Sequence, residues 1–217
     1  MSLDATWPWL ALLLLGAFHG INPGMGWLFA VALGLQEQRW QAVLEALLPL
    51  ALGHAASIGA VVLVVGLVQV VLPEVLLHYL CAVVLSTFGL YRLWRSRHPR
   101  WVGMRVNFWD LSVWSFLMAS AHGAGLMLVP VLLHWPTAAY AHAHFIQTLS
   151  PEGIARAPGL LLAVVGVHTL SMLLVTGAIA ALVYAKLGLA LLRQAWFNLD
   201  LLWAVALFVA SISILVL

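Results

Sequence analysis

Long apolar stretches that follow one another almost without charged residues are the feature that most constrains this chain. Of its 217 residues, 65% are hydrophobic and 7% are charged, whereas an ordinary soluble domain has about 25% charged residues. This composition excludes a water-soluble globule. Since a transmembrane helix needs about 20 apolar residues, the length accommodates about six spans and leaves no room for a separate soluble domain.

Breaks in the apolar pattern predict an all-α polytopic membrane protein, a single transmembrane domain over residues 1–217. The six expected helices lie near residues 7–34, 42–71, 74–95, 109–134, 158–185 and 195–217. Under this topology eight of the nine Lys and Arg residues face one compartment and Arg156 alone faces the other. The positive-inside rule then predicts that both termini lie outside the cytoplasm.

Charge and cysteine content exclude two further classes. The net charge of +2 reflects membrane orientation and does not indicate nucleic-acid binding. Cys81 is the one cysteine, so neither an internal disulfide nor a dithiol relay is expected. The first residues lack a basic n-region, and we therefore expect no cleavable signal peptide.

The two halves of the chain, residues 1–100 and 101–217, resemble each other weakly. The pair His19-Gly20 in the first span matches His122-Gly123 in the fourth, and each pair precedes a proline expected to break the helix, Pro23 or Pro130. The second and fifth spans share the pattern His-x-x-Ser, at His54–Ser57 and His168–Ser171. Because each unit has an odd number of spans, the second copy must cross in the opposite sense. The sequence therefore predicts two inverted three-helix repeats.

Counting residues along each span places one histidine of each motif near the middle of the membrane. These are His19, His54, His122 and His168. Neutral imidazole is a common ligand of transition metals, and four of them at one depth predict a shared metal site for Zn, Cu, Ni or Fe. Taken singly, each is more typical of a histidine that bonds a backbone carbonyl or serine of a neighbouring helix.

Several other residues are candidates for the same site. Asn22, Pro23 and Gly24 are expected to interrupt the first helix and line a gate, with Ser57 and Ser171 as further polar groups. Met25, Met118 and Met127 offer thioethers for Cu(I), or pack in the core. Asp110 and Asp200 are helix caps or proton-relay groups. His78, His134, His142 and His144 are expected at the outer face. Of these, His142 and His144 suggest metal capture, and the loop that carries them, with Glu152, suggests an entry site or lid.

Two segments carry a resemblance to known families. The segment from His19 to Trp27 and the segment from Trp114 to Met127 resemble an uncharacterised bacterial inner-membrane family, and this resemblance implies no activity. More loosely, two three-helix units with a proline-glycine break resemble the lysine-exporter superfamily of six-helix transporters. The chain lacks both the His-x4-Asp-His pattern of the nickel and cobalt members and the paired cysteines of the thiol-relay members, so the resemblance implies no substrate.

Three functions fit these features. The first is a secondary transporter of a transition-metal cation, bound transiently by the four histidines. The second is an intramembrane zinc hydrolase, which would need a carboxylate base that is not predicted at that depth, or a haem-binding redox protein. The third is an exporter of a small organic solute with the histidines as proton-coupled gates. The expected partners are the lipid bilayer and a metal ion or small solute, and homo-oligomerisation is left open.

Overall fold

The computed structural model describes residues 3–94, 106–133, 158–187 and 199–216. No strand occurs in these segments, which confirms the all-α prediction for this part of the chain. A short 3-10 turn, Pro23–Met25, joins the first two helices, and a π-helical turn, Val183–Leu187, extends the seventh. The helices are α1 (Leu3–Ile21), α2 (Trp27–Glu37), α3 (Trp40–Val71), α4 (Glu74–Trp94), α5 (Phe108–Ala121), α6 (Ala124–Leu133), α7 (Pro158–Leu182) and α8 (Leu199–Val216).

Two stretches of the described helices are long and apolar enough to cross a membrane. They are Trp40–Val65 in α3 and Leu161–Lys186, which covers most of α7 and its π turn. The α5/α6 pair supplies a third if its 54° bend is counted within one span, and the remaining apolar helices are shorter. Large apolar side chains such as Leu48 and Leu174 lie exposed on these helices, as expected of surfaces that face acyl chains. The structure is thus compatible with a membrane protein.

The expected first span consists of two helices, because the backbone leaves the helix at Asn22. This residue is extended (φ −68°, ψ 122°), and its side-chain Oδ1 accepts a 2.8 Å hydrogen bond from the Gly24 N–H. Pro23 begins the 3-10 turn, where its missing N–H costs nothing, and Gly26 takes a positive φ of 119° before α2. The prediction that this segment interrupts the helix is confirmed.

The expected fourth span also breaks, but not at its proline. Helix α5 ends at Ala121, and the chain turns at Gly123, which has a φ of 70°. Pro130 lies inside α6, so the prediction that it breaks the helix is wrong. A proline removes a single backbone donor, and membrane helices tolerate that loss when neighbouring helices surround them. The left-handed backbone of Gly123 is what redirects the chain.

Three helix pairs organise the described bundle: α1 with α7, α3 with α5, and α4 with α8. Glycines bring the first two pairs into backbone contact. A β-carbon on Gly16 would overlap the His168 carbonyl oxygen of α7, and one on Gly53 would overlap the Ser112 carbonyl oxygen of α5. Such close approach through small residues is the usual way in which membrane helices associate.

In each of the three pairs, a serine hydroxyl donates a hydrogen bond to a backbone carbonyl of the partner helix. Ser171 bonds the Leu13 carbonyl at 2.7 Å, Ser115 the Leu50 carbonyl at 2.6 Å, and Ser211 the Ala82 carbonyl at 2.8 Å. Because there is little hydrophobic driving force between helices in lipid, these bonds and the glycine contacts carry the pairing. The α1/α7 and α3/α5 pairs are the ones that position the histidines.

Some sequence predictions concern residues outside the described segments, and nothing in the structure bears on them. They include His134, His142, His144, Glu152 and Arg156, together with the side chain of Asp200.

Asp110 lies within the described residues. It forms a reciprocal capping box with Asn107 at the start of α5, each backbone N–H donating to the other's side chain at 3.0 Å, which confirms its prediction as a cap.

Candidate functional site

Three of the four predicted histidines meet in the interior of the bundle. The rings of His19, His54 and His168, here called the histidine triad, come from α1, α3 and α7 and are fully buried. Their ring centres are 5.6 Å apart for His19 and His54, 5.0 Å for His19 and His168, and 5.5 Å for His54 and His168. Each ring therefore contacts both of the others.

The helix pairs explain why these rings meet. His19 lies in the last turn of α1, and the glycines at positions 16 and 20 let that helix lie against the α7 backbone near His168. His54 follows Gly53, whose missing side chain lets α3 lie against α5. His54 also lies near the centre of the apolar stretch Trp40–Val65. The triad thus joins one histidine of the α3/α5 pair to two of the α1/α7 pair.

Backbone carbonyls fix the proton on two of the predicted ligands. The Nδ1 of His19 is 2.6 Å from the Leu15 carbonyl oxygen, and the Nδ1 of His122 is 2.7 Å from the Met118 carbonyl oxygen. A carbonyl only accepts, so Nδ1 carries the proton in both rings. In the neutral ring the lone pair then lies on Nε2, which is the arrangement by which metal-binding histidines are commonly oriented.

The other two members of the triad make no such bond. Within the part of the chain that the structure describes, no hydrogen-bond partner is found for either ring nitrogen of His54 or of His168. The Leu12 carbonyl lies near the His168 ring without meeting hydrogen-bond geometry. A buried polar group left unsatisfied costs about 1–3 kcal/mol. These two imidazoles therefore need a partner, which a bound ion or water can supply.

The spacing of the triad suits a metal ion, but the ring orientations do not. For a metal–nitrogen distance of about 2.0–2.1 Å, three imidazoles around one tetrahedral ion have ring centres about 5 Å apart. The rings of His54 and His168 are parallel within 1°, so their nitrogens do not point at a common centre. No group of three or more His, Cys, Asp or Glu among the described residues has the geometry to hold a metal ion. Coordination would require these rings to rotate.

His122 occupies a different place from the triad. It is almost fully buried at the C-cap of α5, and its ring lies beside the 3-10 turn of the first break. Its Cε1 is 3.6 Å from the position that a β-carbon on Gly24 would take. These contacts, with Met118 and Gly24, place His122 beside the predicted gate. The three ring contacts of the triad do not include it.

Two tryptophans stabilise the first helix break, and the sequence analysis assigned them no role. The indole N–H of Trp27 donates to the Ile21 carbonyl at 3.0 Å, and that of Trp114 donates to the Gly24 carbonyl at 3.3 Å. Both satisfy carbonyls that the broken helix leaves exposed. Indoles prefer the membrane boundaries, and these two tryptophans lie within apolar stretches of the sequence. That position was the sequence signal that could have indicated a structural role for them.

The predicted gate serines bridge helices. Ser57 shares a 2.9 Å hydrogen bond with Ser120 of α5, and Ser171 bonds the Leu13 carbonyl of α1. These bonds hold the α3/α5 and α1/α7 pairs together and do not reach an imidazole. A role for the two serines in gating stays a prediction.

Formal charges lie away from the triad in the described part of the chain. Arg39, between α2 and α3, is exposed and pairs with Glu37 and with Glu45, the latter at 3.0 Å. Hydrogen bonding to Glu45 raises the pKa of Arg39, so this guanidinium stays charged. The electrostatic neighbours of the triad rings are one another, and no described carboxylate is among them.

Comparison with family models, curated proteins and solved structures finds no match to this chain. The resemblance of the two His-Gly segments to an inner-membrane family therefore stays a prediction.

Proposed function

We propose that the protein is a secondary transporter of a transition-metal cation in the bacterial inner membrane. It would have six spans, arranged as two inverted three-helix repeats with both termini outside the cytoplasm. The observation that carries this proposal is the histidine triad, three fully buried imidazoles with ring centres 5.0–5.6 Å apart. Such a cluster in a membrane interior is costly unless it serves a ligand or ion.

The helix pairing supports the repeat. An inverted repeat that exchanges α1 with α5 and α3 with α7 would convert the α1/α7 pair into the α3/α5 pair. Both pairs are in close contact through glycine. The histidines His19 and His122, which such a repeat would make equivalent, both bond the carbonyl four residues before them.

The same pairing suggests how the site would open. His19 and His168 belong to the α1/α7 pair, whereas His54 belongs to the α3/α5 pair. Rocking of one pair against the other would separate His54 from the other two rings and leave His19 beside His168. Binding by neutral imidazoles without thiolates also favours release, because thiolates are the ligands of the tightest structural zinc sites.

The alternatives are less well supported by the described residues. A zinc hydrolase would need a carboxylate as general base, and no described carboxylate neighbours the triad. A haem protein would use paired axial histidines and would absorb visible light. An exporter of an organic solute would use the rings as proton-coupled gates. These remain as outcomes of the test.

The test compares metal content and transport in the purified full-length chain. We expect wild type to bind one or more transition-metal ions and to carry them into vesicles, and His19→Ala and His168→Ala to lose most of both. His78→Ala, on the α4/α8 pair, is the matched control and should retain them. Full metal occupancy in both triad variants would refute the site, whereas metal bound by wild type without uptake would favour an enzyme. A visible absorbance band would indicate haem.

A further inference from the structure

An apolar groove runs along the outer face of the α3/α5 pair and has a volume of about 340 Å³. The side chains that form its walls are exposed, and they are those of Leu52 and Ala56 in α3 and of Phe108, Trp109, Val113 and Phe116 in α5. The groove is therefore a recess in the surface of the bundle and lies apart from the histidine triad in its interior.

The floor of the groove is the contact between the two helices. Gly53 lies there, and a β-carbon on this residue would overlap the Ser112 carbonyl oxygen. Ser112 brings the one hydroxyl of the lining, and this hydroxyl already donates to the Phe108 carbonyl at 3.0 Å. With its hydroxyl satisfied and its walls apolar, the groove is suited to an apolar occupant.

The groove extends over the depth of about one lipid leaflet. Helix α5 rises about 12 Å between Phe108 and Phe116, and half of a bilayer's hydrocarbon core is about 15 Å. One end lies at the first turn of α5, beside the exposed Asp110. The other end lies at Ala56, near the centre of the apolar stretch of α3. Beyond that end the surface is open, since a β-carbon on Gly59 would meet nothing within 4 Å.

This extent favours a lipid chain over a helix from a second copy of the protein. A transmembrane helix crosses the whole hydrocarbon core, whereas the groove covers about half of it. An acyl chain is apolar along its length and ends near the middle of the bilayer. At the polar end of the groove, Trp109 is 73% exposed, and indoles prefer the level of the lipid headgroups. Its N–H can donate there to an ester or phosphate oxygen.

We propose that this groove binds one acyl chain of a membrane phospholipid, with the headgroup beside Trp109. The chain would contact both helices of the α3/α5 pair and so stabilise the pair that carries His54. A ligand that binds only the folded state raises the free energy of unfolding. The proposal rests on a membrane location and is independent of what the triad binds.

Ala56→Leu tests the site, because its larger side chain would fill the groove from an exposed position. Ala60→Leu is the matched control, since Ala60 is exposed on the same helix and does not line the groove. The full-length chain is stripped of lipid in detergent, and dioleoyl phosphatidylethanolamine is then added. We expect wild type and Ala60→Leu to bind one lipid by native mass spectrometry and to melt at a higher temperature with it. Ala56→Leu should lose both effects.

A phospholipid with a diazirine in its acyl chain locates the occupant on the wild-type protein. After irradiation we expect the label on Val113 or Phe116, and an excess of unlabelled lipid should remove it. This measurement needs no variant, so it stays informative if Ala56→Leu fails to fold.

Two results would overturn the proposal. One is equal lipid binding by Ala56→Leu and Ala60→Leu, with the label spread evenly over the exposed faces of the helices, which would indicate bulk lipid alone. The other is a wild-type dimer that Ala56→Leu converts to a monomer, with no label in the groove, which would assign the groove to a second copy. Neither result bears on metal binding by the triad.

Discussion

The two helix breaks share the dipeptide His-Gly, yet they use both residues differently. In the first break His19 is still within the last turn of α1, and the backbone leaves the helix three residues later at Asn22. In the second break His122 is itself the C-cap of α5, and Gly123 turns the chain. His19 therefore lies on a helix face that contacts α3 and α7, whereas His122 lies at a helix end beside the opposite break.

The glycines differ in the same way. A β-carbon on Gly20 would lie 2.5 Å from the Met172 carbonyl oxygen and 2.8 Å from the Val175 Cβ, so this glycine is needed for the approach of α1 to α7. Gly123 has a φ of 70°, a conformation that side chains disfavour. Gly20 lies in a regular helix and requires only small volume, whereas Gly123 requires left-handed backbone and also lies close to Leu207 and Phe88. A shared sequence motif thus does not imply a shared structural role.

The largest effect is expected at Gly20. Gly20→Ala forces α1 away from the α7 backbone, which we expect to cost about 1–3 kcal/mol, as overpacking does. Because His19 and His168 meet across this interface, metal content should fall as well. Thermal unfolding in detergent measures the first effect, with Gly59→Ala as control. A melting temperature within error of the control would show that the two helix backbones are not in contact.

A smaller loss is expected at Gly123. Gly123→Ala should cost about 1–2 kcal/mol because the left-handed region disfavours a β-carbon. Gly123→Asn should not recover this loss, although asparagine tolerates that region, because a β-carbon there would already lie 3.0 Å from the Leu207 Cδ2 and 3.3 Å from the Phe88 Cε1. The same unfolding assay measures both variants. A Gly123→Ala protein as stable as wild type would contradict the need for a glycine at this turn.

The smallest effect is expected at Asn22, whose side chain caps the turn of the first break. Asn22→Ala removes its bond to the Gly24 N–H and should cost about 1 kcal/mol, the typical value for a lost cap. Asn22→Ser keeps a neutral acceptor and should cost less. Asn107→Ala at the exposed start of α5 is a matched control with a similar expected loss. A loss above that of Gly123→Ala would mean that Asn22 has a further structural role.

The sequence analysis succeeded where the signal was local. Asn22-Pro23-Gly24 predicted the first break because a proline and a glycine act on the backbone at their own positions. Pro130 misled it, because the surrounding helices accommodate that proline within α6. Counting along the helices gave four histidines at one depth, and the structure shows ring contacts among three of them. The depth of a residue along its helix does not determine the direction in which its side chain points around the helix axis.

The sequence by itself determined that the described chain forms apolar helices suited to lipid. Its apolar runs are long and hold few polar residues, and a helix makes all of its backbone hydrogen bonds within itself, as lipid requires. Only the tertiary structure decided that α1 pairs with α7 and α3 with α5. That pairing depends on which helix faces carry a glycine or serine that lies opposite a backbone carbonyl of another helix. The match is between segments that are distant in the sequence. It therefore also decided which imidazoles meet and which one lies beside Gly24.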